Sequence, residues 1–370
     1  MRVIIICLQA FGDTLLKTPF IHDLYVRYPE AEVTVVTDSR GAEIFPLIDS
    51  RLHIEEFKKN TNKLDIFARL RRLPKADVLY LPDMHPAPLL MALVIRARRK
   101  VGWKQNVSLL WHGPQAGFRN RYGAKFVYSI IRSVVLDKPR VRCPDGMYEG
   151  QVELLLLDQS AFKLRLAEYR SAFSLSPAPR PRQRIIYCAT QASWRAKQLD
   201  NRLWTQTLTA FLERYPTHHI VVDGDPQLLA QFKDQPRIVP YQRTPHLIDL
   251  FRLISGVDVV VSSDSFLTHL ASWFDVPSVS FFGPSAPHRF QPTAPGSTVI
   301  YHHPECSPCA RRNGNEICLA GYETCLSFQQ IEVPEIMDGV SRALTGSQRG
   351  AEAPVYLCSK NDTYSMENHR

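Results

Sequence analysis

The stretch RVIIICLQAFGDTLLKTP, residues 2–19, decides the fold class of this 370-residue chain. Residues 3–8 are all apolar, which is typical of a parallel strand that is buried on both faces. Leu15, Leu16 and Phe20 then recur at helical spacing and predict a helix over about 14–28. A strand that leads through a short loop into a helix opens a βαβ unit, so the chain is expected to build a parallel sheet.

Asp13 lies at the junction between this predicted strand and the helix. An aspartate at such a junction caps the helix by accepting hydrogen bonds from its first backbone N–H groups. The carboxyl ends of parallel strands are also where α/β folds bind ligands, and a carboxylate there can act as a general base. Position alone leaves both interpretations open.

The alternation of short apolar runs and helical patterns continues through the first half of the chain. EVTVVTD (32–38) and ADVLYLP (76–82) predict further strands, and APLLMALVIRARR (87–99) predicts a helix. The stretch SLSPAPRPRQ (174–183) then breaks the pattern with three prolines, which is typical of a semi-rigid linker. Residues 1–173 are therefore expected to form an N-terminal Rossmann-like domain.

Beyond the linker the βα pattern starts again. RIIYCAT, HHIVVDGD, DVVVSSD and PSVSFFGP predict strands, with helical patterns between them. Residues 184–345 are thus expected to form a second Rossmann-like domain, and the polar residues 346–370 a flexible tail. The predicted fold class is α/β, with two doubly wound domains that face each other across a cleft.

The net charge, the apolar runs and the cysteines limit which binding partners and which cellular compartment fit the chain. The net charge is +9 and the pI is about 9.1, which suggests an acidic partner such as a nucleotide, a nucleic acid or an anionic membrane surface. The opening apolar run is too short for a secretory signal, and no run approaches the ~20 apolar residues of a transmembrane helix. A cytoplasmic protein is expected, in which the eight cysteines are thiols or metal ligands and not disulfides.

The stretch TQASWRAKQLDNRLW (190–204) places hydroxyl groups and cations between a predicted strand and a helix. Thr190, Ser193 and Lys197 stand where a helix N-terminus would bind phosphate, and a nearby lysine strengthens such binding. A solvated basic loop is the alternative interpretation.

The stretch VSSDSFLTHLASWFDVPSVSFFGPS (261–285) brings hydroxyls, a carboxylate and an imidazole to two adjacent strand ends. Asp264 and Ser265 end one strand, and His269 lies one turn into the helix behind it. A lone histidine is often a hydrogen-bonded core residue, but its polar neighbours favour a binding site here.

The spacing Cys306-x2-Cys309-x8-Cys318-x6-Cys325 is that of a loop that could hold a structural metal on four thiolates. Zinc is the default expectation, and iron also binds thiolates. Reduced thiols without a metal are the alternative.

These segments, in this order, resemble glycosyltransferase family nine, the lipopolysaccharide heptosyltransferase family. Gly12 and Asp13 match its opening Gly-Asp before a proline-containing helix, and Lys197 with Trp204 matches its Lys-x6-Trp pattern. YPEAEVTVVTD and RARRKVGW are similar to its second strand and its basic-Ile-Gly-aromatic segment. SSDSFLTHLASWFDVPSVSFFGPS is similar to its donor-site signature, and the cysteine loop followed by IEVPEIMDGV occurs in many members. The resemblance covers about residues 1–345.

The resemblance implies a GT-B fold with the active site between two Rossmann-like domains. It implies inverting transfer of a sugar from a nucleotide-activated donor, commonly ADP-heptose, to a lipopolysaccharide core acceptor. Asp13 matches the general base of the family, and Lys197 matches the cation that neutralises the departing diphosphate. No cofactor for catalysis is implied, so zinc or iron on the four cysteines would be structural.

The resemblance also implies which residues bind the donor. Donor-binding residues are expected at Gly12, Thr190, Ser193, Gly224, Asp264, Ser265, Phe266, His269 and Gly283. Independently of the resemblance, four basic residues, Arg96, Arg99, Arg119 and Arg121, are expected to face the anionic glycolipid acceptor, and a merely solvated basic surface is the alternative. Such an acceptor suggests peripheral contact with the cytoplasmic face of the inner membrane.

Two positions depart from the family pattern, and both concern the donor. Phe266 stands where the signature has a glycine, so a side chain occupies a place where backbone usually approaches the donor. It could stack on the base or the sugar, or change the donor. The acidic residue that often follows the strand-end glycine has no clear counterpart, since Asp225 and Gln227 are the candidates after Gly224.

Other functions remain to be weighed. A relative that uses another nucleotide sugar and a capsule glycan or protein acceptor fits the same motifs. A non-enzymatic, metal-binding nucleic-acid protein fits the charge and the cysteines, but no stripe of basic and aromatic residues supports it. A dinucleotide oxidoreductase is excluded, because QAFGDT lacks the Gly-x-Gly-x-x-Gly pattern.

Overall fold

The computed structural model describes most of the chain. The described residues are 1–58, 60–83, 86–103, 131, 133–137, 148–157, 183–192, 194–309, 318, 321–346 and 355–357. The chain divides into two compact units, Met1–Ser176 with Arg312–Gly314, and Pro177–Arg311 with Asn315–Arg370. Apart from Gln183, the linker expected at 174–183 lies outside the described residues.

The first unit contains a five-stranded parallel sheet. Its strands are β1 Arg2–Cys7, β2 Glu32–Asp38, β3 His53–Phe57, β4 Ala76–Leu81 and β5 Ala97–Gly102. Their order is β3-β2-β1-β4-β5, the doubly wound order of a Rossmann-like fold. The order reverses between β1 and β4, so the crevice at the carboxyl ends of these two strands is the place where this topology binds ligands.

Short helices follow the strands of the first unit. They are α1 Phe11–Leu15, α2 Thr18–Arg27, α3 Ser39–Ile48, α4 Lys63–Arg72, α5 Pro86–Val94, α6 Glu149–Val152 and α7 Leu154–Leu157. The single helix predicted over 14–28 is divided into α1 and α2. Pro19 explains the division, because proline lacks a backbone N–H and is favoured in the first turn of a helix.

The second unit contains a seven-stranded parallel sheet. Its strands are β6 Arg184–Ala189, β7 His218–Asp223, β8 Ile238–Pro240, β9 Val259–Ser263, β10 Ser278–Phe281, β11 Thr298–Ile300 and β12 Val355–Leu357. The order β12-β11-β10-β9-β6-β7-β8 repeats the doubly wound arrangement, with the reversal between β6 and β9. Strand β12 lies within the segment that the sequence predicts as a flexible tail, and it pairs with β11.

The helices of the second unit are α8 Asn201–Arg214, α9 Pro226–Ala230, α10 Leu247–Gly256, α11 Phe266–Trp273, α12 Pro287–Phe290, α13 Leu326–Gln329 and α14 Val333–Gly346. A short 3₁₀ helix, Arg195–Lys197, precedes α8. Trp204 of α8 is buried and meets Phe281 of β10 edge to face, with ring centroids 6.0 Å apart. This contact fixes α8, and the loop before it, against the centre of the sheet.

The basic stretch after α5 differs from its prediction. The sequence predicts a helix through residue 99, but α5 ends at Val94 and β5 begins at Ala97. Strand β5 pairs with β4 from Ala97 to Gly102. Pairing with the sheet therefore outweighs the helical pattern of the side chains, which is a weak preference.

The helices in the described parts of the chain are at most 14 residues long, shorter than the ~20 apolar residues of a bilayer span. None of them has both the length and the apolar character to cross a membrane.

Candidate functional site

In the second unit, Lys197 and Asp264 meet at the point where the strand order reverses. Lys197 ends the 3₁₀ helix that follows β6, and Asp264 directly follows β9. The Lys197 Nζ lies 2.8 Å from the Asp264 Oδ2, and both side chains are largely buried. The Ser263 hydroxyl donates to the Lys197 carbonyl, and the ammonium lies 4.8 Å from the centroid of the Trp194 ring. Lys197 is thus held in one position at the carboxyl end of the sheet.

Asp264 remains a carboxylate although it is buried. Burial alone would raise its pKa, but the charges of Lys197 and His269 and the hydrogen bonds from Lys197 and Ser285 together hold the pKa of Asp264 below its usual range. The structure therefore brings together three residues that the sequence singles out, Lys197, Asp264 and His269. They form a buried charged cluster, which is the kind of arrangement found at functional sites.

Helix α11 begins beside this cluster. Ser265 precedes its first turn, and the Ser265 hydroxyl is buried without a hydrogen-bond partner among the described residues. Phe266 packs against the neighbouring helix α10, with its ring centroid 6.0 Å from that of Phe251. The Phe266 ring, which stands where the family signature has a glycine, therefore packs in part against helix α10 and is partly exposed.

The loop after β7 shows which acidic residue is available at that strand end. Asp225 accepts a hydrogen bond from the Gln227 amide at 2.7 Å and caps α9, so its role is structural. Asp223 pairs instead with Arg243, whose Nη2 lies 3.0 Å from the Asp223 Oδ1. The sequence does not reveal this pair, because Arg243 lies twenty residues beyond Asp223.

Gly224 and Thr190 lie side by side at adjacent strand ends. The Thr190 amide donates to the Asp223 carbonyl at 2.9 Å, and a Cβ added to Gly224 would stand 2.9 Å from the Thr190 Oγ1. Only a glycine leaves room for the threonine hydroxyl there. Ser193, the other hydroxyl predicted at this edge, lies outside the described residues.

The cysteine loop packs against the strand end that carries Gly283. The Cys325 amide donates to the Ala196 carbonyl at 3.1 Å, and the Cys309 amide donates to the Pro284 carbonyl at 2.9 Å. The loop is therefore bonded to the residue before Lys197 as well as to the residue after Gly283. These two hydrogen bonds tie the cysteine loop to the segment that carries Lys197 and to the strand end at Gly283.

The four cysteines of the predicted metal site, Cys306, Cys309, Cys318 and Cys325, all lie among the described residues. In the described part of the chain, no three or more histidine, cysteine, aspartate or glutamate side chains are grouped so that they could hold one metal ion. Cys325 lies against Gly283, and burial raises the pKa of its thiol to about 11, with the charges of Cys309, Cys306 and Cys318 as smaller causes in the same direction. The four-thiolate metal site therefore stays a prediction from the spacing.

Replacing Gly283 with alanine is expected to destabilise the second unit. The added Cβ would stand 2.8 Å from the Cys325 Sγ and 3.1 Å from its Cβ, and overpacking of this kind costs about 1–3 kcal/mol. Urea denaturation measures the change. The double variant Gly283→Ala/Cys325→Ala should recover part of the loss, and full additivity of the two single variants would contradict the predicted contact.

In the first unit, Asp13 lies in the first turn of α1 and is partly exposed. The N-cap of α1 is Ala10, not Asp13. The capping interpretation of Asp13 is therefore wrong, since its helix begins before it. The first turn of a helix favours the ionised carboxylate, which is the form that a general base needs.

A buried lysine lies close to this turn, and the sequence gives no sign of it. Lys17 is almost completely buried, and its Nζ donates to the Glu153 Oε1. Burial opposes the charged form of Lys17, but the charges of Glu153, Cys7 and Asp83 raise its pKa above the ordinary value. Burial also raises the pKa of Glu153, to about 7. Glu153 is 136 positions away in the chain, so only the fold reveals the pair.

The residues predicted to bind the acceptor are only partly described. Arg96 precedes β5 and Arg99 lies within it, and both side chains are exposed. Arg119 and Arg121 lie outside the described residues.

Comparison with known proteins gives one family and several similar structures. Residues 154–319 match the sequence model of Glycosyltransferase family 9 (heptosyltransferase). No curated protein sequence matches the chain. The heptosyltransferase WaaC of E. coli with ADP is similar in structure, with a TM-score of 0.68 and 12% identity over 93% of this chain and 100% of that one.

Two further solved structures are informative. The E. coli ADP-heptose lps heptosyltransferase II has a TM-score of 0.66 and 16% identity, over 94% of this chain and 100% of that one. The bacterial iron-containing dodecameric glycosyltransferase TibC from enterotoxigenic E. coli has a TM-score of 0.53 and 12% identity, over 92% of this chain and 75% of that one. At these identities the structural similarities concern the fold.

The two doubly wound sheets and these matches define a class of protein: the chain is a glycosyltransferase with the GT-B fold. Within that class, residues 154–319 of the chain are similar to glycosyltransferase family 9, the heptosyltransferase family. The predicted resemblance and the predicted fold class are confirmed.

Proposed function

We propose that this glycosyltransferase moves heptose from ADP-heptose to a lipopolysaccharide core acceptor, with inversion at the anomeric carbon. The observation that carries the proposal is the buried Lys197, held by Asp264 at the switch point of the second sheet. A fixed cation at the carboxyl end of a doubly wound sheet suits the diphosphate of a nucleotide sugar. Two solved structures of WaaC, one with ADP and one with ADP-2-deoxy-2-fluoro heptose, support the choice of nucleotide.

The proposed reaction is a single displacement at the anomeric carbon. The Asp13 carboxylate takes the proton of the acceptor hydroxyl while that oxygen forms the new bond to the anomeric carbon. The bond from this carbon to the diphosphate oxygen breaks, and its electron pair leaves with the diphosphate. The Lys197 ammonium balances the charge that develops on the leaving group, and the α11 N-terminus beside Ser265 adds backbone N–H groups.

Asp264 and His269 position the cation that faces the leaving diphosphate in this proposal. Asp264 holds Lys197 through the 2.8 Å ion pair, and His269 lies close enough for its charge to act on Asp264. Thr190, Gly224 and Gly283 shape the adjoining strand ends, where only small groups fit. Asp223, paired with Arg243, is the carboxylate that we assign to the ribose side in place of Asp225.

We place the acceptor on the first unit. Arg96 and Arg99 are exposed cations, and anionic sugars or lipid phosphates are the groups that they would attract. The lipid portion of such an acceptor would bring the protein into peripheral contact with the cytoplasmic face of a membrane.

Transfer from a different nucleotide sugar, to a capsule glycan or a protein, is the second candidate. It is favoured by Phe266, whose ring stands where the family signature has a glycine. A side chain at that place alters the space that the donor can occupy.

A thermal-shift screen tests the proposed donor. ADP, UDP, GDP and CMP at about 100-fold excess over the dissociation constant each stabilise a protein that binds them by roughly 2.7 kcal/mol. We expect a selective rise of Tm with ADP in the wild type and none in Lys197→Ala. Arg195→Ala is the matched control, because Arg195 lies in the same 3₁₀ helix but is mostly exposed.

Other results of the thermal-shift screen would favour a different function. A selective shift with UDP, GDP or CMP favours the second candidate and names its donor class. No shift with any nucleotide contradicts the transferase proposal, and salt-sensitive binding to random DNA tighter than ~1 µM would then support a nucleic-acid-binding protein.

A further inference from the structure

Asp83 holds the beginning of the loop that leads to Asp13. Strands β1 and β4 pair in register with Ile5 opposite Tyr80, and continuing that register brings Leu8 beside Asp83. The Leu8 amide donates to the Asp83 Oδ2 at 2.6 Å. Leu8 is the first residue after β1, so this hydrogen bond fixes the point at which the loop leaves the sheet.

The Asp83 carboxyl group is buried but only half satisfied. Its side chain is 5% exposed, and its Oδ1 has no hydrogen-bond partner among the described residues. Buried carboxylates are normally fully paired, because an unpaired charge in the interior is costly. A carboxylate kept in this state at the switch point of a sheet calls for a role beyond folding.

The titratable groups around Asp83 come from several neighbouring elements. Cys7 ends β1, Asp13 lies in α1, and Lys17 precedes α2 with Glu153 on its far side. The pKa of Asp83 is raised to about 6, mainly by burial and to a smaller extent by the charge of Asp13, against the lowering effects of Lys17, the Leu8 amide and Cys7. Asp83 and Asp13 are therefore close enough to act on each other.

We propose that Asp83 is a positioning residue for the transfer reaction. Its carboxylate holds the loop that carries Asp13 and, as a nearby negative charge, makes Asp13 a stronger base. The inference rests on the proposed role of Asp13 as the general base. A second negative charge favours proton uptake by the first, and a base that takes up the acceptor proton more readily speeds the displacement.

The second unit also has a buried aspartate at the corresponding strand end. Asp264 follows β9, the strand on the far side of the switch point from β6, just as Asp83 follows β4 beyond β1. Asp264 is also buried, and it holds the cation Lys197. Each sheet therefore carries a buried aspartate after its fourth strand in the doubly wound order, next to the residue to which we assign the chemistry.

Two variants separate the hydrogen bond from the charge. Asp83→Asn keeps an oxygen that can accept from the Leu8 amide but removes the charge, whereas Asp83→Ala removes both. Turnover is measured as ADP released from ADP-heptose with a lipopolysaccharide core acceptor. We expect Asp83→Asn to lower kcat severalfold and to move the acidic limb of kcat/KM to lower pH. We expect Asp83→Ala to lower kcat by about 10²-fold, the usual effect of a misplaced catalytic group.

Asp77 provides the matched control at the other end of the same strand pair. Its Oδ2 accepts from the Arg2 amide at 2.9 Å, so it also joins β4 to the backbone of β1. Asp77→Asn and Asp77→Ala should leave both kcat and the pH profile unchanged. An equal effect of the Asp77 and Asp83 variants would overturn the inference in favour of general destabilisation.

A double-mutant cycle and a titration complete the test. In the Asp13→Asn background, Asp83→Ala should have no further effect on kcat. Selective ¹³C labelling of aspartate, with the Asp13 signal assigned from Asp13→Asn, should show that Asp83→Asn moves the titration midpoint of Asp13 to lower pH. This NMR measurement needs no substrate.

The possible failures are distinguishable. If Asp13→Asn keeps the wild-type kcat, the assignment of Asp13 as the general base is wrong, and the proposed role of Asp83 is wrong as well. If Asp13→Asn abolishes turnover while the Asp83 variants keep the wild-type kcat, pH profile and Asp13 titration, only the inference about Asp83 is overturned.

Discussion

Replacing Asp13 with asparagine is expected to lower kcat by about 10²- to 10⁴-fold, the usual contribution of a general base. The amide has nearly the same shape but cannot take up the acceptor proton at neutral pH. Asp13 is partly exposed in the first turn of a five-residue helix, so the substitution should leave the free energy of unfolding almost unchanged. ADP affinity should also be unchanged, because we assign the donor to the second unit.

Asp23→Asn is the control for this prediction. Asp23 lies on the next helix, pairs with His22 at 3.2 Å and is partly exposed, so it matches Asp13 in chemistry and setting. Its kcat should equal that of the wild type. An Asp13→Asn variant with near-normal kcat would remove Asp13 from the chemistry, whereas a loss of ADP binding would show that it contacts the donor.

The sheets of this protein could be predicted because their strands are short and almost purely apolar. Residues 3–7 and 259–261 are buried on both faces, and a continuous apolar run has few other stable solutions in a parallel sheet. The helix boundaries were harder to predict. The helix expected over 14–28 is broken before Pro19, and the stretch expected to continue α5 is β5, because pairing with β4 outweighs a weak helical preference.

The candidate site could be predicted where its residues share one motif. Asp264, Ser265 and His269 lie within six residues of one another, and the strand-to-helix junction is visible in the sequence. The residues that hold the site together were not predictable in this way. Lys17 lies within the helix predicted over 14–28, where nothing in the sequence marks it as buried, and its partner Glu153 lies 136 positions away. Asp83 and Arg243 act through neighbours on other strands, so the fold alone identifies them.

Replacing Lys197 with alanine is expected to weaken ADP binding, lower kcat and destabilise the protein together. The first two effects follow because the diphosphate loses the cation that balances its charge. The third follows because Asp264 is left buried without its ionic partner, and breaking a buried ion pair from one side costs about 3–5 kcal/mol. Isothermal titration with ADP, steady-state kinetics and urea denaturation measure the three effects separately.

The double variant Lys197→Met/Asp264→Asn decides which effect has which cause. It removes both charges, so stability should return close to that of the wild type while ADP binding and kcat remain low. The pH dependence gives a further check. Because the folded-state pKa of Asp264 is depressed, its contribution to stability is present above the unfolded-state value of 3.8 and is lost as the pH falls through the folded-state value. The wild type should therefore lose this increment in acid, and Asp264→Asn should lose none of it. Recovery of kcat in the double variant would show that Lys197 acts on stability alone and would contradict its assignment to the leaving group.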